Sequence, residues 1–311
     1  MAKKKLPEEP PSEAGSASPE AEPVAPEPTP TAPEAEPPKP RKKARKAKAA
    51  AATASLGPYQ VSLYSLDGDP KGPIDLPAVF RTAVRPDLIR RAVTAARANR
   101  RQPYGPSPTA GMRHSVRWAG KGRGASRVPR IRGSMTGAQA PGTVGGRRAH
   151  PPRPRTIWAK KINDRERSDA RLSAIAATHD ATLVAARGHR FREGVSVHVV
   201  VEDAIEGLKR TSEGIAALRS VVVFEDVERA DRGTGIRAGR GKMRGRRYRV
   251  PRSVLIVLAD AAQARRVFGN LPGVDVAEPR SLNAELLAPG GDPGRLVVFS
   301  EGALGRLQGW S

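Results

Sequence analysis

Glycine alternates with a basic residue in Gly120-Lys121-Gly122-Arg123-Gly124, and Arg127, Arg130 and Arg132 follow within eight residues. Glycine at every second position lets the backbone approach a phosphate ribbon closely. The interleaved Lys and Arg supply charge, and a planar guanidinium grips two phosphate oxygens at once. Tyr104, Trp118 and Trp158 can stack on unpaired bases, as can His114 and His150. A second segment, Arg237-Ala238-Gly239-Arg240-Gly241-Lys242-Met243-Arg244-Gly245-Arg246-Arg247-Tyr248-Arg249, repeats the same chemistry in a shorter span. A flexible linker would explain the glycines of the first segment but not its exclusion of acids. A merely solvated loop in place of the second would mix signs.

Other chemistries find little support. Gly120 to Gly124, Gly233 to Gly239 and Gly239 to Gly245 lack the G-x-G-x-x-G spacing, and none follows a strand directly and opens a helix. Lys242 follows Gly241 but precedes Met243, so it is not a phosphate-loop lysine. His114, His150, His179, His189 and His198 are far apart in sequence without metal-ligand spacing, and His198 falls in a β-branched run that suits a core role. Glu202 and Asp203 resemble an acid/base pair, but Asp203 is better placed to cap the next helix, and Ser300-Glu301 has the same explanation. The chain has no cysteine, which excludes disulfides and thiolate metal sites. No catalytic group, metal or cofactor is expected.

Charge location points to the partner. From Leu88 to Asn163 there are 76 residues with eighteen Lys and Arg and no Asp or Glu. Like charges repel along such a stretch and few apolar residues offset the entropy of ordering, so it is not expected to fold on itself. Its counter-charge comes from outside, and a polyanion that surrounds it is the obvious source. Residues 1–55 carry +2, residues 229–252 carry +9, and what lies outside all three regions is net −5. A mildly acidic globule thus bears two strongly basic insertions. The apolar runs are too short to span a bilayer, and Lys3 to Lys5 lead straight into Pro and Glu with no apolar signal region. A soluble, intracellular protein without a membrane partner is expected.

These segments need a scaffold. Residues 1–55, rich in Pro, Glu and Ala with a basic block from Lys39 to Lys48, read as a disordered tail whose basic block is either a solvated charge run or an electrostatic arm that adds nonspecific affinity for nucleic acid. A globule over residues 56–311 is interrupted by a long loop at 102–155 and a shorter one at 229–252. The pattern predicts a strand from Val61 to Leu66, a helix from Pro86 to Arg101, a helix from Asn163 to Thr178 and a strand from Val195 to Val201. A helix or broken pair from Ile205 to Leu218 follows, weakened by Gly207 and Gly214, then strands Val221–Phe224 and Val254–Leu258 on either side of the second insertion. Helix Ala261–Phe268, strand Val274–Ala277, a helix near Ser281–Leu287 and strand Leu296–Phe299 complete the chain. Alternation of this kind predicts an α/β fold, a largely parallel sheet with helices on both faces.

Taken together, five separated segments resemble the family of the fourth protein of the large ribosomal subunit, in the branch shared by archaea and eukaryotes. They are Gly120 to Gly124; Ala149-His150-Pro151-Pro152; Lys161 to Arg167; Ile236 to Tyr248; and Asn270 to Asp275 with Leu282 to Gly290. The resemblance implies a structural ribosomal protein that binds several domains of large-subunit RNA, acts early in assembly and resides in cytoplasmic ribosomes. It implies no homo-oligomer. The family's long loop lines part of the nascent-peptide exit tunnel beside another ribosomal protein's hairpin. Carried onto this chain, that loop contacts RNA through Tyr104, Arg113, His114, Arg117, Trp118 and Lys121, and through Arg123, Arg127, Arg130 and Arg132. On the returning limb Arg147, Arg148, His150, Arg153 and Arg155 do the same, and the tunnel-facing tip falls at Gly120, Gly122, Arg123, Gly124, Arg127 and Arg130. The second loop contributes Arg237, Arg240, Lys242, Arg244, Arg246, Arg247, Tyr248 and Arg249. The first 55 residues depart from the family pattern. A free DNA-compacting protein is the competing reading, and a nucleotide-dependent RNA-modifying enzyme a more distant one.

Overall fold

Short β-branched runs whose successive residues face opposite ways are what a doubly covered sheet requires, and they supply most strands of this one. The computed structural model describes residues 57–118, 120–191 and 197–310. In chain order its elements are β1 (Gln60–Tyr64), β2 (Pro70–Asp75), α1 (Pro86–Asn99), β3 (Val116–Arg117), β4 (Arg130–Ile131), α2 (Asp164–Ala176) and α3 (Ala181–Ala186). Then come β5 (Val199–Val201), α4 (Thr211–Ser220), α5 (Phe224–Arg232), β6 (Gly235–Ile236), β7 (Tyr248–Arg249), β8 (Leu255–Val257) and α6 (Ala264–Phe268). The chain finishes with β9 (Asp275–Ala277), α7 (Ala284–Leu287), β10 (Val297–Ser300) and α8 (Glu301–Leu307).

The main sheet has the order β2-β1-β5-β10-β8-β9, antiparallel only between β1 and β2. Val200, Leu255, Val257, Val297 and Phe299 point to one face, where Ile89 and Val93 of α1, Ile175 of α2, Leu287 of α7 and Leu304 of α8 cover them. The intervening residues Val199, Val201, Ile256 and Val298 point to the other face, against Val184 of α3, Leu218 of α4, Val227 of α5 and Phe268 of α6. The predicted α/β class, with helices on both faces, is borne out. Each such side chain stabilises the fold by about 1.5–3 kcal/mol relative to exposure.

Gly214 sits within α4, and a Cβ there would lie 2.7 Å from Val267 and 2.8 Å from Phe268. The residue that weakens the helical pattern in sequence is the one that lets α4 close on α6. The predicted helix or broken pair is a break: a 3-10 turn at Asp203–Gly207, then α4.

Several expectations need correction. Val221–Phe224 is not a strand: Val221 caps α4, Val222 has φ 67°, and Phe224 opens α5. Val221 and Val223 are buried with the second-face core, so their apolar character serves packing without a ladder. The second insertion therefore leaves from α5 and enters β8. The antiparallel strand β2 is an addition, its prolines tolerated because it forms the sheet edge. Helix α3 is a further addition, whereas α8 is the helix that Ser300-Glu301 implies. Asp180 caps α3 by accepting from Thr182 N, and Ser300 caps α8 by accepting from Ala303 N, the latter as expected. Asp203 does not cap the helix that follows it; its carboxylate accepts from Gly302 N in the first turn of α8, 99 residues away. Strand β5 begins only at Val199, and residues 195 and 196 of the expected run lie outside the described residues, as does the tail at 1–55.

His198, 1% exposed, is a core residue as expected. Its ring stacks on Phe299 and meets Phe80 edge-on, with centroids 5.8 and 4.8 Å away. Thr178 spends its hydroxyl proton on Ile175 O at 2.6 Å, so His198 Nε2 donates to Thr178 Oγ1 at 3.2 Å. Burial, with a smaller contribution from His179, lowers the His198 pKa to about 3 and keeps the ring neutral. Separation in sequence misled in one respect, since His179 and His198 approach with Nδ1 atoms 3.4 Å apart. Among the described residues no three His, Asp or Glu converge as a metal site, and no helix is long and apolar enough to cross a membrane.

Candidate nucleic-acid interface

The long loop leaves from the end of α1 and returns to α2, and its root is tied at two points. Asn99 Oδ1 accepts from Lys160 N at 2.9 Å, and the Arg101 guanidinium lies 3.7 Å above the Trp158 ring. Trp158 is therefore a strut at the root with one face covered, whereas Tyr104 (77% exposed) and Trp118 (52%) remain open for stacking.

Beyond the root, Ala138 is the single buried residue described between positions 102 and 155. The loop does form local backbone structure, a two-residue ladder between β3 and β4, so it is less featureless than its composition suggests. That ladder places Arg117 directly opposite Arg130, an arrangement that is repulsive in isolation. Arg130 donates to Ser126 Oγ at 3.0 Å and to the Met135 carbonyl, and its Nε is buried without a partner. None of the Lys and Arg between 102 and 155 pairs with a described carboxylate. Lys121, Arg123, Arg127, Arg132, Arg147, Arg148, Arg153 and Arg155 are exposed, together with Arg113, His114 and His150.

Gly120, Gly122 and Gly124 have φ of 82°, 79° and 63°, and no other group lies within 4 Å of where a Cβ would stand. The protein's own packing does not demand glycine there. The backbone conformation does, and it leaves the amide surface bare for a partner to approach.

The second loop is a hairpin, with Ile236 of β6 paired to Tyr248 of β7. Its turn is the 3-10 segment Arg240–Arg244, bounded by Gly239 and Gly245 at φ 77° and 75°. Arg237 braces the hairpin by donating to Arg246 O at 3.2 Å, and Arg247 lies over Tyr248 at 5.7 Å. Arg240, Lys242, Arg244, Arg246 and Arg249 point into solvent without carboxylate partners among the described residues.

The sequence reading missed a third group of cations. Arg97, Arg100, Arg187, Arg229, Arg252 and Arg295 lie up to 198 residues apart yet line one cleft together with Arg249. No local motif signals them. Beneath this cleft Asp226, with a side chain 0% exposed, accepts from His189 Nδ1 at 2.9 Å, Arg229 Nε at 2.7 Å and Arg190 N at 2.9 Å. Burial raises its pKa, but these donors outweigh burial and hold the carboxyl below its ordinary value. Burial conversely lowers the pKa of His189, against the pull of Asp226. The pair is a neutral imidazole donating to a carboxylate whose charge Arg229 balances.

An α/β globule that presents two glycine-bearing cationic loops, the longer of them without an acid, is by class a polyanion-binding protein. Comparison with known proteins gives the family: residues 74–310 match the model of the ribosomal protein L4/L1 family, and the chain belongs to it, in its archaeal branch. The large ribosomal subunit protein uL4 of Thermoplasma acidophilum is 51% identical over 249 residues, spanning 80% of this chain and 97% of the relative. Its namesakes from Methanococcoides burtonii and Halobacterium salinarum are 49% and 48% identical over 248 and 245 residues, again covering 97% of each relative.

Proposed function

We propose that this chain is a structural, non-enzymatic constituent of the large ribosomal subunit in the cytoplasm. In this reading it binds ribosomal RNA through its two basic loops. The observation that carries it is the set of exposed cations without carboxylate partners, interleaved with glycines whose backbone is bare, in a chain of this family. Phosphate neutralisation supplies affinity, while close backbone approach and stacking by Tyr104, Trp118 and Tyr248 select the RNA's shape over its sequence. The long loop threads between RNA domains, acts early in assembly and lines part of the nascent-peptide tunnel near Gly120–Arg132, next to another ribosomal protein's hairpin. The rRNA contacts are the loop residues named above.

Sedimentation of the full chain with large subunits tests the proposal. Co-sedimentation is expected to persist at low salt and weaken as salt rises. For roughly six to ten phosphate contacts, affinity for isolated RNA falls by about 10³ to 10⁵ between 50 and 200 mM salt on a duplex-DNA scale, and somewhat less for single strands. Salt-independent association, or recovery of the protein with chromosomal DNA and not with large subunits, would count against it.

A further inference from the structure

A cleft of ≈ 890 Å³ opens where both basic loops leave the globule. Arg97 and Arg100 reach it from the end of α1, where the long loop begins, and Arg249 and Arg252 from the end of the second loop. Arg187, Arg229 and Arg295 complete its cations, against three carboxylates on the wall, Asp275, Glu285 and Asp292.

Those carboxylates are oversubscribed. Glu285 is shared by Arg97 and Arg100, and Asp275 by Arg252 and Arg295. The Asp292 carboxylate goes to Arg90, which does not line the cleft, so Arg187 takes the backbone carbonyls of Asp292 and Pro289 instead. Arg249, whose backbone pairs with Gly235, has no carboxylate partner among the described residues. The cleft is thus cationic as it stands. Several of its guanidiniums are also held in place, so ordering them on binding costs little further entropy. Burial, with Arg229 nearby, lowers the pKa of Arg187, the direction expected where cations are desolvated and crowded. Leu183, Ala186, Val250, Pro251 and Leu286 add apolar surface to the lining, which holds no Phe, Tyr or Trp, and the His189 ring that it does hold is 2% exposed and occupied by Asp226.

We infer that this cleft is an RNA-backbone site that takes consecutive phosphodiester groups of one strand passing from the root of the long loop to the root of the second. It joins the two loops and the globule into one continuous interface. The inference rests on the RNA-binding reading above. A cluster of arginines without an exposed aromatic platform suits the sugar-phosphate chain, where most such contacts fall. An acidic peptide offers similar charge, but RNA already engaged by the flanking loops is held at the cleft mouth at high effective concentration.

The test uses the full chain and deproteinised large-subunit RNA. Arg97→Gln removes an exposed cleft cation that belongs to neither loop and lies 3.9 Å from Glu285, a carboxylate that Arg100 also serves. Arg97→Gln/Arg187→Gln removes two cations from the cleft; Arg240→Gln/Arg246→Gln serves as the loop comparison. Removing one phosphate-neutralising cation should flatten the dependence of log K on log salt by about 0.7 on a single-strand scale. Arg97→Gln is therefore expected to flatten it by about 0.7 and the double cleft variant by about 1.4, with affinity at 100 mM salt down by roughly tenfold or more for the double. Should Arg187→Gln perturb folding, the single Arg97 variant carries the test. Because the chain has no cysteine, Ala186→Cys offers a unique thiol for a tethered iron chelate. Strand cleavage clustered at one RNA segment is expected. Unchanged slope and affinity in the cleft variants, alongside losses in the loop variant, would overturn the inference and leave the RNA-binding reading standing. No RNA binding by any form, wild type included, would remove both. Binding of a glutamate-rich peptide at the cleft that RNA cannot displace, or dispersed cleavage from position 186, would also overturn the inference.

Discussion

At the scale of single residues, buried ionisable groups set the pH response while exposed ones set binding. His198 has a folded pKa of about 3 against an ordinary value of 6.5, so the unfolded chain binds its proton more readily than the fold does. Its contribution is fully present above pH 6.5 and is lost progressively as pH falls toward 3. Resistance of the wild type to urea should weaken over that window, and His198→Phe, which keeps an aromatic ring beside Phe80 and Phe299, should flatten the decline. Asp226 titrates in the same direction but lower, since its folded pKa lies below the ordinary 3.8; its contribution is present above that value and disappears in stronger acid. Asp226→Ala strands Arg229, the His189 N–H and the Arg190 amide together. A loss of about 3–5 kcal/mol is expected in equilibrium unfolding, the range for removing one member of a buried pair. The histidine-aspartate contact was invisible in sequence because 37 positions separate its members, and a lone buried histidine carries no local signature.

Among elements, long periodic helices were legible and short ones were not. Helix α1 shows Leu88, Ile89, Ala92 and Val93 at helical spacing with proline in its first turn, and it forms almost as read. Helix α3 spans six residues around a single buried valine, too few for a period to emerge, and its existence depends on the Asp180 cap and on packing. The Val221–Val223 run illustrates the converse error. Three apolar residues satisfy either a strand or a buried turn, and only the neighbouring core decides between them. Gly214 is an element-level test, because substitution by Val would push α4 away from Phe268. Overpacking of this kind is expected to cost about 1–3 kcal/mol, measurable as a lowered denaturant midpoint. Gly122→Ala with Gly124→Ala should act oppositely, weakening RNA binding through disfavoured positive φ with little change in that midpoint, since no packed group lies near either site.

For the whole molecule, the division of charge predicts a division of labour. Replacing Arg123, Arg127, Arg130 and Arg132 by Ala should impair association with large subunits while leaving thermal unfolding of the globule nearly unchanged. A large fall in melting temperature would mean the loop packs against its own domain. Sequence alone pointed to a polyanionic partner, because 76 consecutive residues lack an acid. The structure supplies carboxylates from elsewhere in the globule to Arg90, Arg91, Arg97 and Arg100 at the start of that stretch, but to none of the cations described between 102 and 155. It also determined the α/β class and the two covered faces, since alternation and helical period are local properties. Tertiary structure decided what depends on distance through space: the strand order, the second partner of each shared carboxylate, the Asp203 contact to α8, and the gathering of seven arginines from positions 97 to 295 around one cleft. Chain folding brings together charges whose separation along the sequence leaves no periodic trace, so their summed field exists only in three dimensions.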